Sequence, residues 1–302
     1  MELGLPFERI NPESGGILRK RWKEVGLGAL NLLAIILVIA AVQPVLRKHL
    51  PNAIGGTALA MIVLATYVAG SKWLERRAPS ELDIHRLLPE LAFGVVVGFV
   101  LFAVSMAILW AAGVYHPIRG GTANGLLSGI AAAFMAGVLE EIVFRGLLFR
   151  LCSKVLGTWG ALLFSAALFG AAHSFNRGAT ISSSIAIAIE AGVLLGAAYA
   201  ATQRLWAPIG LHIGWNFTEG SVFGMSVSGN NVHVGLIQGF LSGPRILTGG
   251  QFGPEASIVA VIVALVAASY FIRHIAKLHA AEPPSWIKKR SATSATPVGE
   301  VQ

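Results

Sequence analysis

The chain has 302 residues, 55% hydrophobic and only 13% charged, with a mean hydropathy of +0.69 and a formal net charge of +8. That balance excludes a soluble globular reading, because one chain would have to bury nearly every helix it makes. The single cysteine, Cys152, excludes an intrachain disulfide framework and a thiolate metal cluster.

Apolar windows near the roughly 20 residues that cross a hydrocarbon core recur along the chain. They lie at 27–46, 53–73, 91–113, 122–147, 158–175, 181–203, 207–224 and 256–276. The expected fold is therefore all-α, a polytopic transmembrane helical bundle of about eight spans. Residues 1–24 form a polar cytoplasmic arm, and the first run is too long for a signal-peptide core, so it reads as a retained span. Residues 25–115 hold the first three spans and residues 120–224 a four-span core. Residues 225–255 form a Gly-rich extracytoplasmic loop, re-entrant or capping, and 256–280 the last span. The tail, 281–302, is polar and bears Pro, Ser and Thr, so arm and tail are both expected to be mobile, the tail disordered and cytoplasmic. No internal repeat is evident, which argues against an inverted-repeat transporter.

Counting span ends, 18 of the 23 Lys and Arg fall on the side of the two termini. The positive-inside rule then places both termini in the cytoplasm of a bacterial-type cell membrane. Anionic lipid headgroups account for the net charge, and no nucleic acid is called for.

Inside this oil, the stretch VLEEIVFRGLLFR (138–150) carries three charges. On a helix Glu141 and Arg145 are i,i+4 neighbours and can pair. Taken alone, that pair reads as a structural bridge where a helix leaves the membrane. Glu140 lies about 100° around the axis and stays unexplained. A charge at mid-bilayer costs on the order of 2.5–3.5 kcal/mol, so a carboxylate without a partner is a candidate general base facing a wet cavity. Two further polar pairs follow at helical spacing: Phe169 and His173 in LFGAAHSF, His212 and Asn216 in GLHIGWNF. Each histidine alone is more often a hydrogen-bonded packing residue than a catalyst. With Glu140 they form a constellation.

Depth supports that constellation. If the fourth and fifth spans turn near Gly157, Glu140 and His173 stand at nearly equal height in the hairpin. His212 lies only about 8 Å beyond the cytoplasmic start of its span. The three share one level only if the hairpin projects into the cytoplasm, with Arg150 and Lys154 on its tip. The site is then expected in the inner leaflet.

Glu140-Glu141-x3-Arg145, Phe169-x3-His173 and His212-x3-Asn216, in that order on three spans, resemble the motifs of the CPBP intramembrane protease family. That family includes the type II CAAX prenyl endopeptidases and bacteriocin-processing and immunity proteins. The resemblance covers about 120–220. It implies an endopeptidase acting on a membrane-associated peptide or protein substrate in the lipid bilayer, with Glu140 activating the water and His173 holding it. Glu141 and Arg145 would brace the site, and His212 and Asn216 would hold the oxyanion. A neutral imidazole N–H and a carboxamide N–H could supply that donor pair. Phe144 and Phe169 are read as cavity wall. The cofactor is left open: Glu140, His173 and His212 are a legitimate set for a divalent metal such as zinc, but no His-Glu-x-x-His occurs, and a metal-free water fits equally.

Other intramembrane proteases fit poorly, since Gly-x-Ser-x-Gly is missing and Asp83 is the only aspartate. The alternatives are a non-enzymatic immunity or scaffold member of the same family, and a proton-coupled transporter using Glu190 and Glu219. The favoured reading of those two glutamates is interhelical hydrogen bonding or exposure to an outer cavity.

Overall fold

The computed structural model describes residues 12–121, 123–230, 235–278 and 280–285. Among the described residues, ten helices run in the order α1 (Pro12–His49), α2 (Asn52–Trp73), α3 (Leu87–Ala111), α4 (Leu126–Glu141), α5 (Arg150–His173), α6 (Ile181–Ile187), α7 (Leu194–Thr202), α8 (Trp206–Phe217), α9 (Arg245–Thr248) and α10 (Ile258–Lys277). Three π-helical turns continue them: Ile142–Phe149 after α4, Ala188–Val193 between α6 and α7, and Thr218–Val222 after α8. Helix occupies every apolar window read from the sequence. Six stretches among the described residues are long and apolar enough to cross a membrane by themselves. The longest, Leu126–His173, is two helices in fact, because Gly157 reverses the chain with φ 71°.

Physical logic separates the two helix faces. Large apolar side chains such as Leu37, Val96, Leu163 and Val266 point outward, which a lipid solvent accepts and water does not. Inward faces carry small residues, because lipid gives helices no hydrophobic reason to associate and close packing must do it. The α3–α8 seam shows this most clearly. A Cβ at Gly94 would overlap the Ala207 carbonyl, and one at Gly98 the Leu211 carbonyl. That seam fixes α8, the helix bearing His212 and Asn216.

Four sequence expectations meet a different outcome. The outer segments are not purely loop: β1 (Tyr115–Gly120) pairs antiparallel with β2 (Ile237–Leu241), so a two-stranded ribbon caps the bundle. The arm is helical from Pro12 onward, as an extension of α1; residues 1–11 lie outside the described residues. The tail begins docked: Thr158 and Glu282 exchange hydrogen bonds of 3.0 and 2.8 Å, and Ser285 donates to the Val155 carbonyl. The expectation of disorder beyond 285 falls outside the described residues. Arg150 turns inward to Glu75 and the Gly146 carbonyl instead of sitting on an exposed tip, since two buried acceptors outcompete water there. Lys154 does stand at the turn and pairs with Glu24.

Candidate active site

Glu140 and Glu141 close α4, one residue before its backbone widens to the π-turn. A π-turn adds a residue per turn and re-aims side chains, a feature common at functional sites. The adjacent carboxylates consequently face different surroundings. Glu141 is fully buried and takes Arg145 Nη1 at 2.8 Å and His212 Nδ1 at 2.9 Å, both on Oε1. Arg145, also fully buried, reaches with Nη2 to the carbonyls of Ala191 and Gly192 at 3.0 and 3.2 Å. Those carbonyls belong to the second π-turn, whose register helps turn them toward a side chain. The guanidinium also lies 4.7 Å from the centre of the Phe169 ring.

Glu140 stands apart from that pairing. Its side chain is 30% exposed, while its Oε2 is buried without a hydrogen-bond partner. This oxygen lies 3.7 Å from His173 Nε2 and 4.0 Å from His212 Nε2. Both rings are oriented from behind. His173 Nδ1 is 2.8 Å from the Phe169 carbonyl, an obligate acceptor, and the ring stacks on Phe169 at 4.5 Å. His212 Nδ1 faces the Glu141 carboxylate. Nδ1–H is the donor to the group behind each ring, so each ring turns its Nε2 toward Glu140. At His212 only the imidazolium can donate from Nε2, because the first proton is already held by Glu141.

Behind the histidines is a cavity of about 20 Å³, room for a single water. Its wall includes Phe169, His173, His212, Trp215 and Asn216. Glu140 is not in that wall, and neither is Phe144, which packs edge-on against Phe169 with ring centres 4.8 Å apart. Phe144 thus supports the wall instead of forming it. The geometry joins Glu140, Glu141, Arg145, His173 and His212 in one contact network, with Asn216 beside it.

Two further carboxylates line the same cavity, Glu190 and Glu255, and a third, Glu219, accepts from the Glu255 backbone N–H at 3.3 Å. All three are buried; Glu219 makes the inter-segment hydrogen bond that the sequence reading allowed, and Glu190 faces a cavity. Burial pushes the Glu255 carboxyl up from its usual range, against His173 and the Ser228 hydrogen bond, which pull it down. Sequence reasoning missed Glu255 because FGPEAS sits outside any span and carries no periodic or motif signal. Trp215 Nε1 and Glu190 Oε2 are buried without protein partners, so the wall offers one free donor and one free carboxyl oxygen.

No group of three or more His, Cys, Asp or Glu among the described residues is arranged to hold a metal ion. The set proposed from sequence, Glu140, His173 and His212, converges without meeting that geometry. Residues 122–218 match the family model described as type II CAAX prenyl endopeptidase Rce1-like. The eight catalytic and cavity-wall candidates read from sequence fall within that segment. No curated protein and no solved structure matches the chain.

Proposed function

From the premise that residues 122–218 of this integral membrane protein are a domain of the CAAX/CPBP family of intramembrane proteases, we propose an endopeptidase in which Glu140 activates the attacking water. The observation that carries the reading is the Glu140 Oε2 atom, buried, unpartnered and facing two histidine Nε2 atoms at 3.7 and 4.0 Å. The substrate class is a membrane-associated peptide or protein, reached from within or beside the bilayer.

A water between Glu140 and His173 donates one hydrogen to Oε2 and the other to Nε2, which leaves an oxygen lone pair aimed at the scissile carbonyl. Glu140 takes the proton as the C–O bond forms. Negative charge then develops on the carbonyl oxygen, where Asn216 Nδ2–H and the His212 imidazolium supply donors. Glu141 holds that imidazolium from its far side, and Arg145 neutralises the remainder of the Glu141 charge. When the C–N bond breaks, Glu140 returns its proton to the departing amine. No step here passes through a metal.

Activity of the purified protein on a library of membrane-anchored peptides, beside Glu140→Gln, tests the proposal. Cleavage by the wild type and a loss of about 10²–10⁴-fold in the variant are expected. Wild-type cleavage that survives Glu140→Gln unchanged would sink the assignment. The same assay with a chelator decides the metal question: activity abolished and then restored by zinc would make His173 and His212 ligands and replace these steps.

A further inference from the structure

Residues outside the family-matched segment are tied to both halves of the site. Tyr67 on α2 is fully buried, and its hydroxyl meets the Gly146 carbonyl at 3.0 Å in the π-turn that follows Glu140 and Glu141. Gly146 is what admits the ring, since a Cβ there would press on Tyr67 at 3.2 Å. The same carbonyl accepts Arg150 Nε at 2.7 Å. Tyr67 is in turn held by Glu81, which it touches directly, and by Arg77 at 3.0 Å.

Glu81 faces two ways. Its carboxylate belongs to the Tyr67–Arg77 cluster, while its main-chain carbonyl accepts the Leu205 N–H at 2.8 Å. Leu205 is the N-cap of α8, and α8 carries His212. The following segment repeats the attachment: Trp206 Nε1 bonds the Asp83 carbonyl at 3.0 Å, and Arg204 pairs with Glu90 at 2.9 Å.

Gly146 lies six residues from Glu140 along the chain, and Leu205 seven from His212. Tyr67 and Glu81, joined to each other, thus hold the end of the glutamate helix and the start of the histidine helix. We propose that Tyr67 and Glu81 are positioning residues that set the spacing between the Glu140–Glu141 pair and His212 across this bridge. They touch no reacting atom and act through the Gly146 carbonyl and the Leu205 N–H. A displacement of about 1 Å at either point is carried along the helix to the site, and misplacement on that scale can cost about 100-fold in rate.

The consequence for rate rests on the endopeptidase reading above; the consequence for geometry does not. The full chain carrying Tyr67→Phe is therefore read in two ways. Proton NMR follows the His212 Nδ1–H signal, identified by its disappearance in His212→Gln. Steady-state kinetics follow a peptide that the wild type cleaves. The His212 signal is expected to shift or broaden, and kcat to fall about tenfold or more while KM stays within about twofold. Glu81→Gln, which keeps the main-chain bond to Leu205, takes the place of Tyr67→Phe should that variant not fold. An unchanged His212 signal overturns the inference whatever the kinetics show. A shifted signal with wild-type kcat overturns it as well. If the wild type cleaves no peptide, the endopeptidase reading fails instead, and the NMR signal alone decides this one.

Discussion

This protein holds two clusters of charge built on opposite principles, a part-buried lower one around Glu75, Arg77, Glu81 and Arg150 and an upper one around Glu140, Glu141 and Arg145. In the lower cluster, no buried side-chain atom of Glu75, Arg77, Glu81 or Arg150 lacks a partner. Arg77 alone bonds Glu75, Glu81, Tyr67 and Ser71. In the upper cluster Glu140, Glu141 and Arg145 each leave a buried polar atom unpartnered. Satisfied networks rigidify, whereas unpartnered groups in low dielectric are costly and persist at sites that will receive a ligand or do chemistry. The difference teaches that charge in this bundle serves two purposes, and that partner counts separate them better than burial does.

The comparison breaks most visibly at Glu141. Glu141→Gln removes the only carboxylate bonded to a fully buried arginine, and breaking such a pair typically costs about 3–5 kcal/mol. Glu140→Gln, at a side chain 30% exposed and outside that pair, should cost about 0.5 kcal/mol or less while removing activity. Urea unfolding of both variants in the same detergent measures the contrast. Equal destabilisation would show that the two glutamates have been assigned the wrong way round.

Asn216→Ala should come next in size. Loss of one oxyanion donor costs about 3 kcal/mol, close to 100-fold in kcat, with KM nearly constant. Turnover and KM on a single peptide decide this. A variant whose defect lies mainly in KM would make Asn216 a substrate-binding residue and leave His212 as the lone donor.

The smallest effect sharpens the comparison from the lower cluster. Burial alone would raise the Glu75 carboxyl, but Arg150, Asn31 and Arg77 win and hold it below the usual range. A depressed folded-state value contributes stability above the unfolded value, and that stability is lost as pH falls through the folded one. Thermal unfolding between pH 6 and 3 should therefore show wild-type stability declining more steeply below about pH 4.5 than that of Glu75→Gln. Parallel declines in the two proteins would remove Glu75 from the set of groups that matter.

Much of the site was legible because the signals were local. Glu141 and Arg145, Phe169 and His173, and His212 and Asn216 are each four apart on a helix, and helical periodicity alone puts each pair on one face. The equal height of Glu140 and His173 followed from counting to Gly157, and the two side chains do lie 3.7 Å apart. Less was legible where one atom answers to several partners. The tautomers of His173 and His212 depend on what stands behind each ring, a carbonyl in one case and a carboxylate in the other. No spacing rule encodes that.

By itself, the sequence determined that this chain lives in lipid, that its bundle is helical, and which three helices carry polar groups inward. Hydropathy and the 3.6-residue period are properties of contiguous stretches, so they survive without knowledge of the fold. Only the tertiary structure decided that Glu255 and Glu190 close one cavity with the histidines, and that Tyr67, Glu81 and Arg77 hold the end of one site helix and the start of another. It also decided that the backbone widens to a π-turn just after Glu141. These depend on contacts between segments far apart in the chain, where carbonyls released by one helix are taken up by side chains of another. Such partners are chosen by packing in three dimensions, and a linear pattern holds no record of the choice.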